Sequence, residues 1–303
     1  KNKNLKKIMK IGIPRSLFYF KRPVFFEEFL RNLNCDLIFS PETNKVILEE
    51  GTKISDPETC YSIKVFFGHL LYLDKKCDYI FLPLLKKNEY GFEYCPKFFG
   101  LPDLAKNILK TKILSAFFEG DLEKFAFQIG KKLKKEKSKI RQAYLKALSL
   151  EKEDERKRFC TFEEKIKSPI KKILLISHPY NLYDSFVNLQ IKKRLEKLGF
   201  QPLFLQDIPY EIVKGREIKT LPQFHWEFGE EMIKKLDFIL KENKNINGVI
   251  EISSFACGCD AVLKEYIEMI IKSSQIPFLY LILDEQTGEA GYQTRLEAFA
   301  DSL

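Results

Sequence analysis

The sequence predicts an α/β protein made of two Rossmann-like doubly wound domains joined by a helical connector. Three observations carry that expectation. Short apolar runs of strand length alternate with stretches of helical spacing in both halves of the chain. The segment between the halves is highly charged, helix-prone and poor in proline and strand formers. The 303 residues, 45% apolar with 27 Phe and 13 Tyr, supply core enough for two domains of about 150 residues. That composition excludes a disordered or low-complexity chain.

In order, residues 7–15 (KIMKIGIPR) read as a strand closed by a Gly/Pro turn, 25–33 as a helix and 35–40 (CDLIFS) as a second strand. A helix follows Asn44 and is expected to stop at Gly51. Helical spacing returns over 61–74, and 77–85 (CDYIFLPLL) is again strand-like. In the second half, 172–177 (KILLIS) reads as a buried strand, and a helix over about 182–198 stops at Gly199. A strand over 202–206 and a helix over about 228–241 come next. Strands over 248–253 (GVIEIS) and 278–283 (FLYLIL) flank a helix over 261–272. Apolar residues persist between the halves (Leu114, Phe117, Phe118, Phe125, Phe127, Leu145, Leu148), so that stretch reads as a helical layer and not a loose linker. The expected units are a first α/β domain over 1–102, a helical connector over 103–167 and a second α/β domain over 168–303.

The net charge of +9 is concentrated in two places. Residues 1–10 carry +5 and Lys131 to Arg141 (KKLKKEKSKIR) carry +6, which leaves the rest of the chain close to neutral. A solvated helix face accounts for the second run better than nucleic-acid binding does. No apolar run approaches the ~20 residues of a spanning helix, and the Lys-rich start has no apolar signal core. The expected setting is cytoplasmic, with no membrane partner. The first residue is Lys, not Met, which leaves open an origin in a longer chain.

Seven cysteines with no secretory signal point to buried thiols, metal ligands or reactive groups, not to a disulfide framework. With three histidines, metal chemistry here is expected to be thiolate-based. Cys60 (DPETCYSIK) stands at a helix entrance and Cys95 (YCPKFFG) in a Gly/Pro-rich loop. Cys257 and Cys259 (SSFACGCDA) stand between a strand and a helix. These are carboxyl-end positions, where open α/β sheets bind ligands, and helix N-termini favour the thiolate. Cys35 and Cys77 open strands and read as structural, and Cys160 lies in the connector. The spacing is not that of a zinc finger or a local ferredoxin run, so convergence in a cleft stands beside inert loop thiols as a reading.

Several ordered words resemble a known family: IGIPRSLFYF at 11–20, CDLIFSPETNKVILEEG at 35–51, DPETCYSIKVFFGH at 56–69 and CDYIFLP at 77–83. YCPKFFGLPD at 94–103, SSFACGCDA at 253–261 and DEQTGEAGYQTRLEAF at 284–299 complete the set. The chain is similar to the acyl-CoA dehydratase activase-related proteins, relatives of 2-hydroxyacyl-CoA dehydratase subunits and of double-cubane cluster proteins. The resemblance implies an iron–sulfur cluster, most simply 4Fe–4S with a double-cubane 8Fe–9S as the other form. Cys60, Cys95 and Cys257 would hold it between the domains. It also implies low-potential electron transfer or ATP-coupled reduction, with a separate or fused ATP-hydrolysing activator as partner, and it leaves a homo-oligomer open.

Where the resemblance leads one to expect Cys-Gly-Pro-Asp, this chain has Cys257-Gly258-Cys259-Asp260. Cys259 is therefore a fourth ligand, an alternate to Cys257 or a spectator. A fourth ligand weakens the alternative of a dehydratase-type lyase or small-molecule reductase working at an open iron. A zinc-binding or metal-free scaffold is the remaining alternative. Arg15 after the first strand and Glu289 before the last helix are candidate catalytic residues; a structural ion pair and an N-cap serve equally well for them. His69 and His178 read as structural. No GxGxxG or P-loop is present, so ATP is expected on the partner.

Overall fold

Two four-stranded parallel sheets form the body of the computed structural model, which describes residues 8–218, 221, 224–242 and 245–303. Most of the first basic run, and Lys7 of the first expected strand, lie outside those residues. The first sheet has the order β2-β1-β3-β5, from β1 (Met9–Ile13), β2 (Cys35–Phe39), β3 (Tyr79–Phe81) and β5 (Lys112–Leu114). The second has the order β10-β9-β7-β8, from β7 (Lys172–Ile176), β8 (Gln201–Phe204), β9 (Ile246–Ser254) and β10 (Phe278–Leu283). Strand β7 is buried along its whole length, as a central parallel strand covered on both faces must be. The order reverses beside the first strand of each sheet, which is the doubly wound arrangement.

Helices α1 (Pro23–Asn32), α2 (Lys45–Ile54) and α3 (Tyr61–Leu73) belong to the first half. Asn44 caps α2 by accepting from the Ile47 N–H at 3.1 Å. Gly51 does not end α2 as expected. A Cβ there would lie 1.8 Å from the Lys64 carbonyl oxygen of α3, and one on Gly68 would lie 1.8 Å from the Ile47 carbonyl oxygen of α2. The two glycines let the helices cross backbone to backbone.

The expected strand over 77–85 is divided at Leu82 and Pro83: β3 stays in the first sheet, while β4 (Leu84–Lys87) pairs in parallel with β6 (Phe117–Glu119) as a separate ribbon. The loop expected around Cys95 is largely helix, α4 (Pro96–Ile108), with Pro96 in its first turn where a missing N–H costs nothing. The stretch 103–167 is not helical throughout. It holds β5, β6 and α5 (Leu122–Lys132), so the first α/β unit runs past residue 102, and the connecting helix proper is α6 (Lys137–Lys167). Lys131 to Arg141 form the end of α5 and the start of α6, anchored by buried Leu133 and Ile140 with most of the lysines exposed.

In the second half the helix expected over 182–198 is two pieces, α7 (Pro179–Leu182) and α8 (Ile191–Lys197). Polar side chains end the first piece. The Asp184 carboxylate accepts from the Phe186 and Val187 N–H groups, and the Asn188 amide donates to the Asn181 and Leu182 carbonyls. Then come α9 (Tyr210–Val213), α10 (Glu227–Glu242), α11 (Gly258–Ser274) and α12 (Glu289–Asp301). One apolar core runs from Ile11 through Phe66 and Phe81 to Leu174 and Ile267, so both sheets share it. Among the described residues no helix is long and apolar enough to cross a membrane.

Candidate metal centre between the two sheets

In an open parallel sheet a crevice forms at the carboxyl ends of the strands where the order reverses. In the second sheet those strands are β7 and β9. His178 follows β7, and Cys257 and Cys259 follow β9. From the first half, Leu17 after β1, Cys60 and Cys95 face the same space. All four cysteines line one cavity, together with His178, Lys97, Tyr180 and Phe228. The residues expected as metal ligands are thus brought together from three separate segments.

Local structure explains their aim. Cys60, Cys95 and Cys257 are the N-cap residues of α3, α4 and α11. Each thiol therefore stands at the positive end of a helix, where backbone N–H groups are unpaired and negative charge is favoured. Cys60 follows helix α2 and not a strand, so its position depends on the glycine crossing of α2 and α3. It is tied to the other half by the Tyr61 N–H, which donates to the Phe255 carbonyl at 3.2 Å. Ser62 adds hydrogen bonds to Ser254 at 2.5 Å and to Asn181 at 2.9 Å. Lys64, one turn on, is buried and pairs with Glu285 at 2.5 Å.

Cys95 is held through its neighbours. The Glu93 N–H donates to the His225 carbonyl at 3.1 Å, and the Glu227 N–H donates to the Glu93 carbonyl at 2.9 Å. Ahead of Cys257, Ala256 adopts the left-handed region at φ 61°, a conformation side chains other than Gly, Asn and Asp rarely take.

The electrostatics separate the thiols. Their shared neighbour Cys259, acting against burial, draws Cys95 down to about 6 and Cys257 down to about 7. Cys259 itself is pushed far up by the same two neighbours. Burial pushes Cys60 up to about 11, against the pull of Lys97. Burial also works to keep the His178 imidazole neutral, but the Asp260 carboxylate and Cys257 outweigh it and raise it to about 10. His178 Nε2 lies 2.6 Å from Asp260 Oδ1, and both stand with Cys257 in a group whose potential ligand atoms lie within 4.8 Å of one another. The Phe228 ring meets the imidazole edge-on at 5.0 Å.

Two expected residues are elsewhere. Arg15 stacks its guanidinium 5.0 Å from the Phe39 ring centre and lines a different cavity with Glu42, Thr43 and Asp184. Glu289 is exposed and pairs with Arg194 at 2.5 Å. Neither lines the cysteine cavity. His178, read from the sequence as structural, and Glu227, which the sequence did not single out, both do. His178 carried a usable signal, because it follows a strand as Cys257 does. Glu227 opens a helix whose many charges look like a solvated face.

A family model described as CoA enzyme activase uncharacterised domain (DUF2229) matches residues 10–208. The chain belongs to that family. The match covers β1 through β8 and includes Cys60, Cys95 and His178, whereas Cys257, Cys259 and Glu227 lie beyond it. No curated protein matches the chain. Solved structures with matching chains include a Zn(II)-bound variant of AdcAII from Streptococcus pneumoniae, at 13% identity and TM-score 0.28, covering 98% of this chain and 100% of that one. Another is the laminin-binding protein Lbp of Streptococcus pyogenes, at 12% identity and TM-score 0.29, covering 97% of each chain. Scores this low carry no inference about this family member.

Proposed function

We propose that the chain holds an iron–sulfur cluster through Cys60, Cys95 and Cys257, with Cys259 as fourth ligand, and relays low-potential electrons from an ATP-hydrolysing activator to a partner enzyme. The observation that supports this reading is the meeting of four thiols from both halves of the chain at one cavity. The donor set fits the group. Four cysteines are the usual holders of a 4Fe–4S cluster, and two of these four already favour the thiolate near neutral pH. Cys259 lines the same space as the other three thiols, and about 30 Å³ of it is free. When bound, the cluster supplies a one-electron redox centre. The protein supplies three helix N-termini and the His178 cation against its negative charge. Phe98, Tyr180 and Phe228, packed on one another, limit water. Charge, hydrogen bonding and burial of this kind set a cluster's potential.

Anaerobic reconstitution followed by iron and sulfide analysis tests the reading, and the iron-to-sulfide ratio distinguishes 4Fe–4S from the double-cubane form. Cys60→Ala, Cys95→Ser and Cys257→Ser should each lose most of the iron and the visible absorption. A colourless wild-type protein, iron-free after reconstitution, would sink the proposal. One observation supports a second reading, mononuclear zinc on His178, Cys257 and Asp260. One equivalent of zinc with no visible absorption would favour it.

A further inference from the structure

The cysteine cavity has a neighbour. A larger cavity of about 220 Å³ is lined by Lys21, Arg22, Glu151, Arg158, Glu231 and Lys235 among others, and Glu227 lines both spaces. The Glu227 side chain is 3% exposed. Its Oε1 accepts from Lys21 Nζ at 2.7 Å, while Oε2 finds no hydrogen-bond partner among the described residues. Lys21 also pairs with Glu231, which pairs with Lys235 one turn along α10. Lys21 stands 5.3 Å from the centre of the Phe228 ring, the ring that packs on His178. A buried carboxylate with one free oxygen thus separates a thiol-lined space from a charged one. Ionised, that oxygen carries buried charge with no donor to meet it, and a bound proton removes that charge.

We propose that Glu227 is the redox-linked proton site of the cysteine cavity, binding a proton when an electron arrives and releasing it when the electron leaves. The inference rests on the cluster reading above and extends it. The step balances simply. One electron enters the cavity from a low-potential one-electron donor, and one proton from water in the outer cavity forms an O–H bond at Glu227 Oε2. Re-oxidation returns the proton the same way. Each electron would otherwise leave a net negative charge in a poorly solvated site, where charge is expensive.

The two carboxylates that share Lys21 divide the roles. Burial and the neighbouring Glu231 charge push Glu227 up, against Lys21, whereas Lys21 and Lys235 overcome burial and hold Glu231 down at about 2. Environments that drive two such groups apart mark the one that carries the proton. The other titratable groups facing Glu227 are Glu89 and Tyr94 from the segment after β4, and Tyr210 of α9. Burial pushes both tyrosines far above neutral, so they stay protonated throughout.

The test is the midpoint potential of the reconstituted full chain against pH, by dye-mediated titration from pH 6 to 9. Wild type should fall by about 59 mV per pH unit over part of that range, one proton per electron. Glu227→Gln should load the same iron and lose the slope. If that variant does not fold, Lys21→Met is the substitute: removing the counter-charge should move the sloping range to higher pH. A loaded wild type with a flat profile, an unchanged slope in Glu227→Gln, or an unmoved range in Lys21→Met overturns the proposal alone. A wild type that takes up no iron overturns the cluster reading, and this inference with it.

Discussion

The crossing of α2 and α3 makes a sharp prediction, because two backbones meet there with nothing between them. Gly51→Ala would place a methyl carbon 1.8 Å from the Lys64 carbonyl oxygen. Real Cβ contacts stop near 3.0 Å, so the helices must part by more than 1 Å. Overpacking a well-filled core costs typically 1–3 kcal/mol, and the upper end applies where neither partner is a flexible side chain. Alanine's better helix propensity offsets about 1 kcal/mol of that, so a net loss of about 2 kcal/mol or more is expected. Urea unfolding of the metal-free protein, followed by far-UV circular dichroism, measures it. Gly100→Ala is the internal control, since it also sits inside a helix but a Cβ there meets nothing within 4 Å. It should gain about 0.5–1 kcal/mol. Because Cys60 lies between the two crossing helices, Gly51→Ala should also lower iron loading. A Gly51→Ala protein as stable as wild type would refute the close-contact reasoning.

Two further outcomes can be measured on the same preparations. His69 is fully buried between Ser40 and Thr43, at 2.7 and 2.9 Å, and burial with the nearby Arg15 draws its pKa from 6.5 down to about 3. Below pH 6.5 the unfolded chain binds a proton that the folded one refuses. Stability should therefore fall by about 1.4 kcal/mol per pH unit from this group as pH drops from 6.5 toward 3. His69→Gln should remove that slope, so its stability difference from wild type should shrink by roughly 2 kcal/mol between pH 6.5 and 5. An undiminished gap would show that the group is not neutral. Cys259→Ser should retain three thiol ligands and most of the iron but open one coordination position, so that an added thiol or cyanide perturbs the cluster spectrum. A spectrum as unresponsive as that of wild type would remove Cys259 from the ligand set.

The parallel sheets and the sequence of alternating elements could be read from apolar periodicity, because buried central strands such as β7 announce themselves as unbroken apolar runs. The misreadings have specific physical sources. Gly51 looks like a helix stop, yet a glycine demanded by a neighbouring backbone has the same letter as one demanded by a cap. Pro96, Gly100 and Pro102 suggest a loop, but the first sits in the opening turn of α4, where proline is tolerated. Strands β5 and β6 have three residues each, too short for periodicity to register. The cysteines could be picked out as strand-end and helix-start thiols. Their meeting depends on contacts between residues almost 200 positions apart, such as Ser62 with Ser254, which no local pattern encodes. Arg15 shared the strand-end signal and went to another cavity. Position along the chain selects an edge of the sheet, and side-chain direction then decides which space along that edge is reached.

The division of the cysteines between the two halves also sets a timetable. Cys60 leaves the ribosome about 200 residues before Cys257 and Cys95 about 160 before it, delays of roughly ten to forty seconds at common synthesis rates. During that interval a nascent first unit carries two thiols at helix ends with no second half to cover them. Any cofactor delivered then meets half a binding site, and oxidation meets two accessible sulfurs. Under the proposed cluster reading, loading waits until β9 and α11, which bring Cys257 and Cys259, close over the first half.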